Sequence, residues 1–231
     1  MCSIEYKNSM YNVYQNTTKN IVTFKGVGLH SGKTSTVRLI PGKENQGILF
    51  KRIDLKKHNI IKADYKNVTS ATLCSTLSND SGTKVSTVEH LLAALYLTKI
   101  NNITIEIDNE EVPILDGSSK DFINILDEAK TIKQNKKIKY LQVLNKFEYE
   151  DKSRKISLEP SEFFEVEFEL DYDNELIGKQ KNKINFSSDN FQNIVESRTF
   201  CLFEDIKKIK NNGYAKGGSL DNAIVVDENK I

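Results

Sequence analysis

The segment Ser86-Thr-Val-Glu-His90 carries the side chains of this sequence that are best suited to chemistry. A histidine in the first turn of a helix is kept neutral by the positive end of the helix dipole, and a neutral imidazole is the form that binds a metal ion. A glutamate beside it can take a proton from a metal-bound water. The pattern therefore predicts a hydrolytic site in which His90 is a metal ligand and Glu89 is the general base.

The same segment also has a purely structural interpretation. Ser86 at the N-cap and Glu89 at the third helical position have the spacing of a capping box, in which two side chains satisfy the first amide groups of a helix. A catalytic zinc ion normally takes three protein ligands. The other histidines, His30 and His58, lie in a glycine-rich turn and a lysine-rich loop, and neither is expected to complete a site. Residue spacing alone leaves both interpretations open.

Glycine-rich and turn-forming segments offer weaker candidates. Gly26-Val-Gly-Leu-His-Ser-Gly32 has the glycine content of a phosphate loop, but it lacks the required spacing and a strand follows it. We therefore predict a tight turn in which His30 is a satisfied structural residue. Asp116-Gly-Ser-Ser119 indicates a capping turn before a helix, and Ser197-Arg-Thr-Phe200 indicates no mechanism by its spacing.

The elements that must position these residues are predicted from the spacing of apolar side chains. Alternation with a period of two predicts strands, and apolar residues three and four apart predict helices. The predicted strands cover 34–40, 47–53, 102–108, 164–170 and 222–226, and the predicted helices cover 86–96, 118–129 and 204–211. Glu89 and His90 are thus expected near the start of the first helix.

A short internal echo indicates a duplication. Val37-Arg-Leu-Ile-Pro41 is similar to Ile156-Ser-Leu-Glu-Pro160, and an alternating strand follows each segment. The first copy continues into a helix, a strand and a second helix, whereas no counterpart of the 86–96 helix precedes Ile231. Either the duplication is not real or the second copy is incomplete, and the spacing leaves that choice open.

The composition argues against several classes of function. The 231 residues include 33 basic and 32 acidic side chains, and a net charge of +1 gives no general attraction to nucleic acid. No apolar run approaches the roughly 20 residues of a membrane span, and residues 1–10 lack the apolar core of a signal peptide. Cys2, Cys74 and Cys201 are odd in number and far apart, which disfavours a disulfide framework and favours a reducing compartment. We expect a soluble cytoplasmic protein without a nucleic-acid partner.

Six segments, taken together, resemble one known family. They are GVGLHSG at 26–32, ATLCSTL at 71–77, VSTVEHLLAAL at 85–95, NNITIEIDNEEVPILDGSS at 101–119, RTFCLFEDI at 198–206 and GGSLDNAIVVD at 217–227. In order and spacing they resemble the UDP-3-O-acyl-N-acetylglucosamine deacetylases, which are zinc-dependent amidases of lipid A biosynthesis in Gram-negative bacteria. The resemblance covers nearly all of the chain beyond about residue 14.

The resemblance implies an α+β fold of two similar domains, each a β-sheet layered against helices, which supports the suspected duplication. We accordingly predict a first domain over 14–130, a linker over 131–139 and an incomplete second domain over 140–231. The insert at about 201–227 is expected to form a strand, a helix and a strand that enclose the acyl chain of the substrate. The implied partner is a small molecule, an acylated UDP-sugar, and we expect a monomer.

The resemblance also implies roles for individual residues. It makes Glu89 the general base, His90 a zinc ligand and Thr199 the residue whose hydroxyl binds the oxyanion. The implied substrate-binding residues are Leu73 and Cys74 at the sugar and acetyl group, Arg154 and Tyr172 at the nucleotide, Phe200 beside Thr199, and Phe203, Ile206, Gly218, Ser219 and Val225 in the acyl passage.

One departure from the family pattern limits these expectations. The two further zinc ligands, a histidine and an aspartate one helical turn apart, and the general-acid histidine fall beyond Ile231. We therefore predict that residues 1–231 alone bind no stoichiometric zinc and show no turnover, whereas the intact parent releases acetate from the substrate's acetamide. Two alternatives stay open: a non-catalytic protein that binds an acylated sugar nucleotide, and a metal-independent scaffold in which Ser86 and Glu89 only cap a helix.

Overall fold

The computed structural model of the protein describes residues 4–8, 13–187 and 190–227, so that Cys2 lies outside the described residues. Its contacts define two compact units. We call residues 15–136 with 192–231 the site unit, and residues 1–14 with 137–191 the hairpin unit. These two units are defined by compactness and do not test whether the chain contains two similar domains. The division into 14–130, 131–139 and 140–231 therefore stays a prediction.

Within the described residues, the elements follow one another in a mixed order. The strands are β1 Ile4–Asn8, β2 Tyr14–Thr18, β3 Val22–Val27, β4 Thr34–Pro41, β5 Ile48–Arg52, β6 Ile60–Lys62, β7 Val68–Ser70, β8 Thr76–Ser78, β9 Lys84–Ser86, β10 Ile103–Ile107, β11 Thr131–Lys137, β12 Lys139–Val143, β13 Phe147–Asp151, β14 Arg154–Leu158, β15 Glu165–Asp171, β16 Lys179–Asn185, β17 Phe200–Leu202 and β18 Ile224–Val226. The helices are α1 Glu89–Leu97, α2 Lys120–Ala129, α3 Gln192–Val195 and α4 Asp205–Asn211, with a single 3-10 turn at Tyr65–Asn67.

The site unit is built on a five-stranded sheet in the order β3-β4-β10-β5-β6. The central strand β10 runs antiparallel to β4 and parallel to β5, with Ile105 opposite both Leu39 and Phe50. These three side chains are fully buried. On the other face of β10, Glu106 pairs with cationic side chains of β4 and β5 over 2.9 and 3.0 Å. The alternation read from the sequence therefore separates a core face from a charged face.

Helices α1 and α2 cover the core face of this sheet. Leu91 and Leu95 of α1, and Phe122 and Leu126 of α2, belong to the same buried cluster as the sheet residues. Each such side chain contributes about 1.5–3 kcal/mol by leaving water. Both helices were predicted, although α1 begins three residues later than expected and α2 two residues later. Among the helices of the described residues, none is long and apolar enough to cross a bilayer.

Smaller strand pairs complete the site unit. Strands β7, β8 and β9 form a three-stranded sheet that leads into α1, and β17 pairs with β18 in parallel. The tract 131–139, predicted to be a linker, holds strand β11, which pairs with β2. Next to this pair, the amides of Lys19 and Asn20 donate to Lys130 O and Ala129 O at the end of α2, over 2.7 and 2.9 Å.

The described part of the hairpin unit contains strands and no helix. Strands β13 and β14 form one antiparallel hairpin, and β15 and β16 form another. Three Glu–Lys pairs cross the second hairpin on one face, and Val166 and Phe168 lie exposed on the other. The chain is α+β as predicted, but the layered sandwich expected for each of two domains is not confirmed.

Candidate active site

Glu89 and His90 are the first two residues of α1, which begins three residues later than predicted but keeps both in its first turn. The capping box that offered an alternative interpretation is wrong, because Ser86 belongs to strand β9 and the N-cap position is Val88, which makes no side-chain cap bond. The amide and the hydroxyl of Ser86 both donate to Glu110 O, at 2.9 and 3.1 Å. The serine is therefore fixed by the segment that follows β10, and its hydroxyl is bonded there and not to the helix.

The turn between β9 and α1 is strained. Thr87 has φ of 55°, a left-handed conformation that is unusual for a β-branched residue. Such strain costs about 1–3 kcal/mol and persists only where the surroundings enforce it. Here the enforcing group is Glu111, whose carboxylate accepts a hydrogen bond of 2.8 Å from Thr87 Oγ1. The turn redirects the chain so that α1 begins with its glutamate and histidine.

Glu111 is a functional candidate that the sequence reasoning missed. The residue is only 1% exposed, and its two carboxylate oxygens also accept the backbone N–H groups of His30 and Ser31 at 2.8 and 2.7 Å. A buried carboxylate is tolerated when donors surround it in this way. The alternation of β10 gave no signal for it, because that strand ends at Ile107 and Asn109, the next odd position, is not buried. Glu111 ties the glycine-rich turn to Thr87, two residues before α1.

The carboxylate of Glu89 is oriented from outside its own helix. Its Oε2 atom accepts a hydrogen bond of 3.0 Å from the backbone N–H of Ser75. Ser75 follows Leu73 and Cys74, and Leu73 has φ of 60°, so the chain turns sharply just before the donor. Leu73 is 53% exposed, whereas Cys74 is half-buried. The segment predicted to contact the sugar thus lies directly against the predicted general base.

His90 is held in its neutral form by its surroundings. Burial lowers the pKa of its imidazole, and the negative charges of Glu89 and Asp116 oppose that shift without cancelling it. A neutral imidazole is what a metal ion requires. The ligand role of His90 stays a prediction, and Asp116 is one of the charged groups that act on the imidazole.

The turn at Asp116 brings Thr199 into the same region. The Asp116 carboxylate accepts from the amide and hydroxyl of Ser118 at 2.9 and 2.8 Å, as expected of a capping turn. Gly117 has φ of 85°, and its carbonyl accepts the amide of Thr199 at 2.8 Å. A Cβ atom at position 117 would collide with the carbonyl oxygen of Asn222. Only glycine allows this approach, which places Thr199 beside the turn that carries Asp116.

The predicted strand, helix and strand of the insert are confirmed as β17, α4 and β18. The carbonyl of Thr199 accepts the amide of Ile224, which joins the two strands just before they pair. Phe203 is 60% exposed and Phe200 is 37% exposed, whereas Ile206 and Val225 are half-buried. Gly218 and Ser219 lie in the exposed turn before β18. That this insert encloses an acyl chain stays a prediction.

The glycine-rich turn packs against the insert through His30. The amides of Lys216 and Gly217 donate to His30 O and Leu29 O at 3.3 and 3.0 Å, and the ring of Tyr214 meets the imidazole edge-on at 5.3 Å. The predicted tight turn is confirmed. The expectation that His30 is fully satisfied is wrong, because its buried Nε2 atom has no hydrogen-bond partner among the described residues. Packing against the insert, which the spacing could not predict, encloses the ring.

A complete metal-ligand set is not found within the described residues, where no three histidine, cysteine, aspartate or glutamate side chains cluster suitably. His90 fits one position of a zinc site, since its imidazole is neutral and a carboxylate neighbours it. That His90 is a zinc ligand, and that residues 1–231 alone bind no stoichiometric zinc, therefore both stay predictions.

Arg154 and Tyr172, predicted to hold the nucleotide, belong to the hairpin unit. Arg154 begins β14 and is exposed, and Tyr172 follows β15 with 39% of its surface exposed. The Tyr172 amide donates to Gly178 O at 3.1 Å, which fixes its backbone in the β15–β16 hairpin. Their role at a nucleotide stays a prediction.

An α+β chain that presents a glutamate and a histidine of lowered pKa at a helix start, with a threonine bonded to the turn that carries Asp116, has the features of a hydrolase. Its residues 15–231 match the family model described as UDP-3-O-acyl N-acetylglycosamine deacetylase, and the chain belongs to that family of deacetylases.

Individual relatives agree with this assignment. The chain is 39% identical to the UDP-3-O-acyl-N-acetylglucosamine deacetylase of a Nitratiruptor species, over 94% of this chain and 72% of that protein. It is 40% identical to the protein of that name from Haemophilus influenzae (strain 86-028NP), over 95% of this chain and 73% of the relative. The corresponding values for the Thermodesulfovibrio yellowstonii protein are 38%, 94% and 74%.

Proposed function

We propose that this chain carries the general-base part of a zinc-dependent deacetylase that hydrolyses the acetamide of UDP-3-O-(3-hydroxyacyl)-N-acetylglucosamine. The observation that carries the proposal is the start of α1, where the Glu89 carboxylate is oriented by Ser75 N–H and His90 is neutral. A fixed carboxylate beside a neutral imidazole is what activation of a water molecule requires.

Glu89 accepts the proton of the attacking water in this scheme. The hydrogen bond from Ser75 occupies Oε2, and we assign Oε1 to the water. The resulting tetrahedral intermediate carries its negative charge on the former carbonyl oxygen, and the hydroxyl of Thr199 donates to that oxygen. The products are acetate and the free 2-amino sugar nucleotide. This hydrolysis is a step of lipid A biosynthesis in the cytoplasm of a Gram-negative cell.

His90 is the residue of this chain that would hold the metal ion. A bound zinc ion would polarise the acetamide carbonyl and lower the pKa of the attacking water. By the family resemblance, the other protein ligands would be residues that are not among 1–231. We therefore propose that residues 1–231 by themselves hold no stoichiometric zinc and release no acetate.

The remaining candidate residues bind the rest of the substrate. Leu73 and Cys74 contact the sugar and its acetyl group, and Arg154 and Tyr172 contact the diphosphate and the uracil. The insert receives the acyl chain, and burial of that chain contributes about 0.8 kcal/mol per methylene group. The exposure of Phe203 supports this role, because a large apolar ring in water is stabilised by covering it.

The test is acetate release by this chain extended at its C terminus with the remaining segment of the Haemophilus influenzae relative. We expect the extended protein to turn over and to contain one zinc ion, and we expect neither from residues 1–231. Glu89→Gln in the extended protein should lower kcat by about 10²–10⁴, the usual contribution of a general base. Glu128→Gln, on the exposed face of α2, is the matched control and should leave kcat unchanged.

Two outcomes would contradict the proposal. Near-normal turnover of Glu89→Gln would remove the general-base assignment. Tight binding of the acylated nucleotide by the extended protein without any release of acetate would instead favour a non-catalytic binding protein.

A further inference from the structure

Glu111 is a buried charged residue to which the proposed deacetylation assigns no role. It is only 1% exposed, and its carboxylate accepts three hydrogen bonds. The amides of His30 and Ser31 donate over 2.8 and 2.7 Å, and the hydroxyl of Thr87 donates over 2.8 Å. A buried carboxylate is costly, and it persists where charge-assisted hydrogen bonds surround it. The two segments that supply these donors therefore indicate what the carboxylate does.

The first of these segments is the turn that leads into α1. Thr87 lies two residues before the helix and has φ of 55°, a conformation that a β-branched residue adopts only where its surroundings enforce it. Val88, which follows it, already has helical backbone angles and makes no side-chain cap bond. The direction in which the helix starts is therefore set at Thr87, and the hydrogen bond to Glu111 holds that residue in place.

The backbone around Glu111 is fixed against the same turn. Ser86 and Glu111 form a parallel bridge. The Ser86 amide donates to Glu110 O over 2.9 Å, and the Ser86 carbonyl accepts the Val112 amide over 3.1 Å. Glu111 is thus anchored through its main chain to the residue before Thr87, and its side chain reaches Thr87 itself.

The second segment is the glycine-rich turn at 26–32. A Cβ atom at position 28 would collide with Glu111 Oε2, so glycine allows the carboxylate to lie against the backbone of the turn. The same turn packs against the insert, where the carbonyl of Leu29 accepts the amide of Gly217 over 3.0 Å. One carboxylate therefore contacts both the turn that starts α1 and the turn on which the insert packs.

We propose that Glu111 is a positioning residue, which holds Thr87 in its left-handed conformation and thereby sets the direction in which α1 presents Glu89 and His90. The positioning is a property of the fold, whereas its effect on catalysis rests on the proposed function. A shifted start of α1 should break the bond of 3.0 Å that the Ser75 amide donates to Glu89. A misplacement of about 1 Å in a catalytic group can lower a rate about 10²-fold.

Two variants break the link between Glu111 and Thr87. Thr87→Val keeps the branched shape and loses the hydroxyl. Glu111→Gln keeps the length of the side chain but replaces one acceptor oxygen by an NH2 group, which then faces the donors that the carboxylate accepted.

Two controls keep that link. Glu110→Gln changes a carboxylate that pairs with partly exposed Lys33 and Lys84. Gly47→Ala destabilises the site unit at a positive-φ residue, where a Cβ atom would meet nothing within 4 Å.

The first measurement is hydrogen exchange at backbone amides of residues 1–231, followed by NMR. The Leu92 amide makes a hydrogen bond of 2.9 Å in the first turn of α1, and the Thr98 amide makes one of 2.9 Å at the end of the helix. In Thr87→Val and Glu111→Gln we expect exchange at Ser75 and Leu92 to accelerate about tenfold or more relative to Thr98, the effect of a lost hydrogen bond to a charged group. Gly47→Ala should accelerate all three amides alike, because it lowers stability overall.

Uniform acceleration in the two link variants, as in Gly47→Ala, would overturn the proposal. Unchanged exchange at Ser75 and Leu92 would do the same. If Glu111→Gln does not fold, Thr87→Val decides alone, because it leaves the bonds from the glycine-rich turn to the carboxylate in place.

The second measurement is acetate release by the extended protein, which tests the effect on catalysis. We expect Glu111→Gln and Thr87→Val to lower kcat about tenfold or more while KM changes less than about twofold, because proton abstraction belongs to the transition state. Thr87→Ser restores the hydroxyl and should recover most of the activity lost in Thr87→Val. The double variant should be no slower than Glu111→Gln, since both changes break the same bond. Glu110→Gln and Gly47→Ala should keep the parent kcat.

The two measurements separate this proposal from the proposed function. If Glu89→Gln leaves turnover intact, the proposed function is wrong, and the exchange measurement still decides whether Glu111 positions the start of α1. If Glu89→Gln abolishes turnover while folded Glu111→Gln keeps the parent kcat, Glu111 has only a structural role and the proposal is overturned.

Discussion

The backbone N–H of Ser75 donates to Oε2 of Glu89 over 3.0 Å, although the two residues are 14 positions apart in the sequence. A main-chain donor cannot rotate away as a side chain can, so the direction of this carboxylate is fixed by the path of the chain before β8. The helix therefore fixes only the backbone position of the candidate general base, and the loop that contains Ser75 orients its carboxylate.

Removal of this donor should destabilise the site unit. We expect Ser75→Pro, which lacks an N–H, to lower the free energy of unfolding by about 1.5–3 kcal/mol, the contribution of a hydrogen bond to a charged group. Ser75→Ala keeps the N–H and should differ little from the parent protein. Urea unfolding followed by circular dichroism measures both. Equal loss in the two variants would show that the hydroxyl, and not the amide, matters.

Glu111 should be far more important than its neighbour Glu110. Glu111→Ala leaves the donors of Thr87, His30 and Ser31 without their acceptor, and we expect a loss of about 3 kcal/mol or more. Glu110 pairs with Lys33 and Lys84 over 3.7 and 3.8 Å on partly exposed side chains, so Glu110→Ala should cost under about 1 kcal/mol. Urea midpoints of the two variants give the comparison, and similar midpoints would contradict it.

Gly117→Ala should separate a steric effect from a conformational one. Both Gly117 and Gly47 have positive φ, but a Cβ atom meets the Asn222 carbonyl at the first position and nothing within 4 Å at the second. Gly47→Ala should therefore cost about 1–2 kcal/mol from backbone conformation alone. Gly117→Ala should cost more and should also increase hydrogen exchange at the amide of Thr199, which donates to Gly117 O. Unchanged hydrogen exchange at the Thr199 amide would argue against its hydrogen bond to Gly117 O.

Arg52 of β5 donates through Nη1 to Lys84 O of β9 over 2.8 Å and through Nη2 to Asp54 over 2.7 Å, and acid should weaken this link between the strands. Hydrogen bonds from Arg52 lower the pKa of the Asp54 carboxyl below its ordinary 3.8, against the opposing effect of burial. Because the folded pKa is depressed, the stabilisation is complete above the ordinary value and is lost as the pH falls through the folded pKa. We expect Asp54→Asn to flatten the acid limb of stability against pH, and the exposed Asp80→Asn to leave it unchanged. If the parent protein, Asp54→Asn and Asp80→Asn lost stability over the same acid range, the assigned role of Asp54 would be refuted.

Local spacing was sufficient for the elements that carry the site. Alternation identified β10, the three- and four-residue spacing identified α1 and α2, and strand-forming runs on either side of a helical segment identified the insert. These features depend on which side chains leave water, and that information is contained in a short stretch of sequence. Glu89 and His90 could be selected because the predicted helix puts them in its first turn, where a neutral imidazole and a carboxylate suit metal and proton chemistry.

Only the tertiary structure decided how these residues are held. Ser86 joins strand β9, where it lies opposite Thr76 of β8, so α1 starts at Glu89 and no capping box forms. The bonds from Ser75 to Glu89 and from Thr87 to Glu111 join segments 14 and 24 residues apart. Spacing rules describe neighbours along the chain, whereas these bonds arise only when distant segments fold together, and they determine where the reactive side chains point.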